Sequence, residues 1–146
     1  FFQNEIVSFQ AYNIRTGQYL LCPDNRSSIK SIELSYGLDD VIGNGEIILV
    51  EGVTDKWRVG RSAVAAFGKN WSVEKLLLLR KVVGNDVRVK IFLDKDAELE
   101  ANSLCSLVSN FWADVYVFEY DLVDPSDPAD FSGEVIRHSV LYAASG

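Results

Sequence analysis

Apolar positions along the chain change their rhythm near residue 46. Before it, residues 6–13 (IVSFQAYN) alternate apolar and polar, the period-two signature of a half-exposed strand. Residues 15–18 (RTGQ) read as a turn, and residues 19–22 as the returning strand of a hairpin. Pro23 bars ladder pairing while Asp24 and Asn25 favour turns, so residues 23–28 form a loop. Residues 29–34 read as a short strand or irregular structure. Residues 36–41 read as one helical turn before the Gly43-Asn44-Gly45 break.

From residue 46 the runs lengthen and alternate in type. Residues 46–50 carry four consecutive apolar side chains, the pattern of a strand covered on both faces, as in a parallel sheet. Thr54 is placed to cap a helix through Arg61, with Asp55 in the first turn where negative charge is favourable. Residues 63–67 form the next buried strand. Ser72 caps a helix over 73–82, with Glu74 early and Arg80 and Lys81 late, and residues 84–86 stop it. Residues 87–93 are a third strand. The helix over 97–112 places Ala97, Ala101, Leu104, Val108 and Phe111 on one core-facing stripe. A fourth strand over 114–119, an acidic Pro-rich loop over 124–130 (DPSDPAD) and a C-terminal helix over 134–144 complete the chain. This alternation predicts an α/β protein with a central parallel sheet flanked by helices and an N-terminal antiparallel β-hairpin extension. The extension occupies residues 1–45 and the α/β domain residues 46–146.

The 146 residues, 48% hydrophobic with a mean hydropathy of +0.06, suit a soluble globular chain able to bury a core without disulfides. No run approaches the roughly 20 apolar residues of a membrane span, and residues 1–7 lack the pattern of a signal peptide. No membrane association and a cytoplasmic setting are therefore expected. The start at Phe1 and the absence of Met read as a fragment of a larger protein. Cys22 and Cys105 have no CxxC partner and are expected to be free, buried thiols. The net charge of −7 argues against a strong nucleic-acid grip by Lys and Arg. That objection weakens locally if the acids gather around a divalent cation.

Three acids stand where a parallel sheet collects its ligands, outside the carboxyl ends of its strands. Glu51 ends the strand IILV, and Asp94 and Asp96 end the strand VRVKIFL. Carboxylates in that number suit Mg²⁺ or Mn²⁺. A single acid at a strand end is most often a helix cap or a solvated loop residue. A strand ending in E-G-x-x-D, followed about forty residues later by a strand ending in D-x-D, is far more specific. His138 is the only histidine and is expected to be structural or exposed; Asp39 and Asp40 are expected in a solvated turn. Trp57, Trp71 and Trp112 are expected in the core or between helix and sheet. No GxGxxG or P-loop pattern occurs.

VEGVTD at 50–55 with FLDKD at 92–96 resembles the Toprim domain shared by bacterial and phage primases, topoisomerases and some nucleases and recombination proteins. AVAAFG at 63–68, the YLLCP…K…YGL stretch over 19–38, and DPAD at 127–130 are similar to segments of the primases in particular. The resemblance implies a Toprim-like, Rossmann-like fold and the catalytic portion of a DNA primase of phage or prophage type. It implies Glu51, Asp94 and Asp96 as catalytic and metal-binding residues with Mg²⁺ or Mn²⁺, and Asp127 at an additional metal position. Gly52, Asp55 and Asp130 would support the site. Single-stranded DNA template, ribonucleoside triphosphates and a replicative helicase or helicase domain would be the partners. Gln18 and Leu21 stand where Lys and Asn are common in the primase stretch, which leaves Lys30, Lys56, Lys69 and Arg26 as the cations offered to nucleic acid or nucleotide. Two alternatives share the fold: a Toprim-type metal-dependent nuclease or recombination protein, and a degenerate, non-catalytic Toprim interaction module.

Overall fold

The structure, a computed structural model, describes residues 2–3, 5–67, 70–94 and 96–118. Lys69, Asp127, Asp130, His138, the 124–130 loop and the 134–144 helix expected from the sequence lie outside those residues. Within them the chain runs β1 (Gln10–Asn13), β2 (Gln18–Leu21), β3 (Ser35–Tyr36), β4 (Glu46–Val50), α1 (Val53–Val59), β5 (Ala63–Ala66), α2 (Val73–Val83), β6 (Arg88–Ile91), α3 (Glu98–Val108) and β7 (Val115–Val117).

β1 and β2 form a two-stranded antiparallel hairpin, with Tyr12 opposite Tyr19. The other strands make a five-stranded sheet in the order β3-β5-β4-β6-β7. Pairing is parallel throughout except at the β3 edge, which runs antiparallel to β5. The parallel core is what strict strand–helix alternation demands. The antiparallel edge was not expected: Tyr36 read as the start of a helical turn and Ser35 was unassigned, yet they pair with Ala65 and Ala66. A strand of the N-terminal extension thus joins the main sheet, and the helical turn shrinks to a single 3₁₀ turn at Asp39–Val41.

Alternation within β4 explains how its apolar run is used. Ile47 and Leu49 face one layer with Leu76 and Leu79 of α2 and Leu104 and Val108 of α3. Ile48 and Val50 face the other, with Val59 of α1, Phe92 and Phe118. Both faces of the strand are therefore covered, which removes the strand's own solvent-facing side and its need for polar positions. The stripe on α3 is met at Ala101, Leu104 and Val108, which are buried, while Ala97 and Phe111 pack half-buried beside them. Ser72 caps α2 by accepting from the Lys75 amide at 3.3 Å, as its position before an apolar run suggests. Cys22 and Cys105 are free thiols, the first buried and the second half-buried.

Candidate functional site

The C-terminal ends of β4 and β6 lie side by side. Their register pairs Leu49 with Ile91, and the Phe92 amide donates to the Leu49 carbonyl at 2.9 Å. Two residues further along, Glu51 stands level with Leu93, and Asp94 follows immediately. Neighbouring strands run about 4.8 Å apart, so Glu51 and Asp94 leave the same lip of the sheet from adjacent strands. Asp94 is half-buried, whereas Glu51 and Asp96 are exposed. Asp96 sits in the turn after β6, where the Ala97 amide donates to the Asp94 carbonyl at 2.9 Å before α3 begins.

The turn that carries Glu51 is fixed from below. The Gly52 amide donates to Asp55 Oδ2 at 2.8 Å, and Asp55 is buried. This carboxylate, rather than Thr54, caps α1, because the helix starts two residues earlier than the Thr suggests, with Gly52 at its N-cap. A Cβ at Gly52 would stand 3.0 Å from that carboxylate oxygen, so the close approach favours glycine. From above, the Trp71 indole N–H donates to the Val50 carbonyl at 3.2 Å. Trp71 then walls a cavity of about 370 Å³ shared by Glu51, Leu93, Ala97 and the α3 residues Glu100, Ser103 and Leu107. Behind it, the buried Lys75 ammonium donates to the Asn70 carbonyl at 2.7 Å, and burial pulls its pKa below the usual lysine value. As site residues Trp71 and Lys75 both escaped the sequence reading, which gave Trp71 a packing role only. The available signal was their position, within nine residues of the β5 end at the same lip.

The donor set is right for a hard cation in kind. Among the described residues no three His, Cys, Asp or Glu side chains are grouped so as to hold a metal ion. The convergence expected of Glu51, Asp94 and Asp96 therefore reaches a shared edge and not a closed cage. Mg²⁺ asks for no cage: it takes one or two carboxylates and completes its shell with water and substrate phosphate, a demand that two adjacent strand ends can meet.

One cation behaves otherwise than expected. Lys56 is buried on α1, its Nζ donating to Asp40 Oδ2 at 2.7 Å and to the Gly60 carbonyl at 3.3 Å. It is spent inside the fold and offers no phosphate grip, and Asp40 is paired rather than idle in a solvated turn. Lys30 is exposed in the turn before β3 and remains accessible. Trp112 is buried and Trp71 half-buried, as expected of packing residues, but Trp57 is 66% exposed. The buried positions of α1 are Asp55, Lys56 and Val59, which turns Trp57 outward.

No protein-family description and no curated protein matches the chain. Solved structures do. The Aquifex aeolicus primase, comprising zinc-binding and RNA polymerase domains, superposes with a TM-score of 0.75 at 24% identity, over 94% of this chain and 37% of that one. The E. coli primase catalytic core gives 0.68 at 18% identity, over 94% and 48%. A DnaG primase catalytic domain bound to single-stranded DNA gives 0.69 at 19%, over 94% and 49%. The chain thus spans less than half the length of each of these neighbours. Its five-stranded, mostly parallel sheet, its flanking helices and its separate hairpin are the Toprim-type fold of the bacterial primase catalytic cores.

Proposed function

We propose that the chain is the catalytic Toprim portion of a DNA primase, making RNA primers on single-stranded DNA from ribonucleoside triphosphates during replication. The observation that carries the proposal is the common edge from which Glu51, Asp94 and Asp96 leave two neighbouring parallel strands. The fold shared with primase cores, one of them bound to single-stranded DNA, supports it.

In this reading Asp94 and Asp96 would hold Mg²⁺ or Mn²⁺, and Asp127, supported by Asp130, would serve a further metal position. The cation would lower the pKa of the attacking 3′-hydroxyl and offset charge developing on the phosphorus oxygens. Glu51 takes the hydroxyl proton as the new P–O bond forms and the bond to pyrophosphate breaks. Asp55 and Gly52 fix the turn that presents Glu51, and Trp71 holds the strand end just before it. Lys30 and Lys69 are the cations offered to the triphosphate or the template backbone. A replicative helicase, or a helicase domain of the complete protein, is the expected partner.

The test is ribonucleotide incorporation on circular single-stranded DNA with Mn²⁺. Weak, template-dependent RNA synthesis that Asp94→Asn abolishes is expected. Metal-dependent nicking of plasmid without RNA synthesis would replace primase by nuclease. Neither activity, together with no stabilisation by metal, would leave a non-catalytic interaction module.

A further inference from the structure

A second cavity, about 620 Å³, lies between the hairpin, β3 and the start of α1. No residue lining it carries a charge, in a chain of net charge −7. Its rim is aromatic: Phe9, Tyr12, Tyr19 and Trp57 are all exposed. The Tyr12 and Tyr19 rings pack with centroids 4.7 Å apart, and the Trp57 indole N–H donates to the Tyr36 hydroxyl at 3.1 Å, which fixes the plane of the indole. Its wall holds two orphans. The hydroxyls of Ser8 and Ser35 are buried without a hydrogen-bond partner among the described residues, and Ser35 is only 3% exposed. Buried hydroxyls without a protein partner are available to a polar group entering the groove.

We infer that this groove binds the unpaired bases of a single strand, stacking them on Tyr12, Tyr19 and Trp57 and meeting their polar edges with Ser8 and Ser35. The inference rests on the primase reading for the identity of the strand. The groove adjoins the candidate site along the chain: Val53 and Thr54 in its wall directly follow Glu51 and Gly52. A hydroxyl both donates and accepts, so it suits a base edge of either polarity. An extended proline-rich peptide also favours aromatic grooves, but the Trp57 N–H that could meet one of its carbonyls is already engaged with Tyr36, and competition tests that occupant directly. Stacking replaces the charge grip that Gln18, Leu21 and the buried Lys56 do not supply.

Such binding has a distinct salt response. Each phosphate contact contributes a slope of about −0.7 to the log–log salt dependence for single strands, whereas stacking contributes none. Anisotropy of a short labelled oligo(dT) with the whole chain should give a slope shallower than about −1. Trp57→Ala should weaken binding roughly five- to 150-fold, the range seen for removing one stacked base contact. Tyr12→Ala, also an exposed position, should weaken it similarly, and Ser35→Ala by a smaller factor. Unchanged affinity in both aromatic variants would overturn the inference. So would equal binding of an abasic strand or of duplex, or displacement of the oligonucleotide by a polyproline peptide. Asp94→Asn should leave oligo(dT) affinity unchanged while removing RNA synthesis. No RNA synthesis by the wild-type chain together with intact, stacking-dependent binding would fault the primase reading and spare the groove, and synthesis without stacking-dependent binding would fault the groove alone.

Discussion

Removing Asp40 should harm the fold more than removing its partner, Lys56. The two side chains meet at 2.7 Å, but Lys56 is 6% exposed and Asp40 38%. Asp40→Ala strands an ammonium in the interior with only the Gly60 carbonyl, 3.3 Å away, to receive it. Breaking a fully buried pair typically costs 3–5 kcal/mol; with one partner partly solvated, about 2–3 kcal/mol is expected here. Lys56→Met fills the same space and leaves a half-solvated carboxylate near Arg61, at a cost under about 1 kcal/mol. Urea denaturation followed by circular dichroism reads both values. For a chain of this size the Asp40→Ala melting point should fall by about 6–9 °C, and adding Lys56→Met to it should restore most of the loss. The pair ties the Asp39–Val41 turn of the extension to the helix that begins just behind Glu51. An Asp40→Ala loss no greater than that of Lys56→Met would refute the burial argument.

Trp71→Phe keeps an aromatic side chain but removes the indole N–H that donates to the Val50 carbonyl, and should cost at least about 1 kcal/mol in urea denaturation; an unchanged midpoint would detach Trp71 from the strand end. At the opposite end of the sheet, hydrogen bonds from Tyr116 and Arg88 hold the Asp114 carboxyl below its usual 3.8. Its stabilising contribution is therefore complete above that value and disappears as pH falls through the lower folded-state pKa. The stability gap between wild type and Asp114→Asn should be constant near neutrality and close below about pH 3.8. A gap that persists at pH 2 would contradict the shift.

The parallel core was legible because β4, β5 and β6 each bury both faces, and a short continuous apolar run bounded by turn residues reports that directly. The Ser72 cap was legible for a local reason, since cap and helix are adjacent in sequence. What escaped depends on partners distant along the chain. Lys56 reads as a surface charge until Asp40, sixteen residues earlier, is brought against it. With Asp55 and Lys56 both inward, α1 also defies the rule that charged positions mark the wet face, and so Trp57 was assigned to the wrong side. Ser35 and Tyr36 carry no strand signal of their own; β5 supplies the pairing. At the candidate site, sequence spacing identified which acids leave the two strand ends. Their adjacency follows from the β4–β6 pairing, which no local pattern encodes.

Titration of the chain with Mn²⁺, following the free-ion signal by electron paramagnetic resonance, asks directly whether the carboxylates at this lip bind a divalent cation. Saturable uptake that Asp94→Asn removes and Glu51→Gln weakens is expected. A parallel rise in thermal stability should reach about 1.4 kcal/mol at tenfold the dissociation constant. Equal uptake by wild type and Asp94→Asn, or no uptake by either, would contradict binding at these carboxylates.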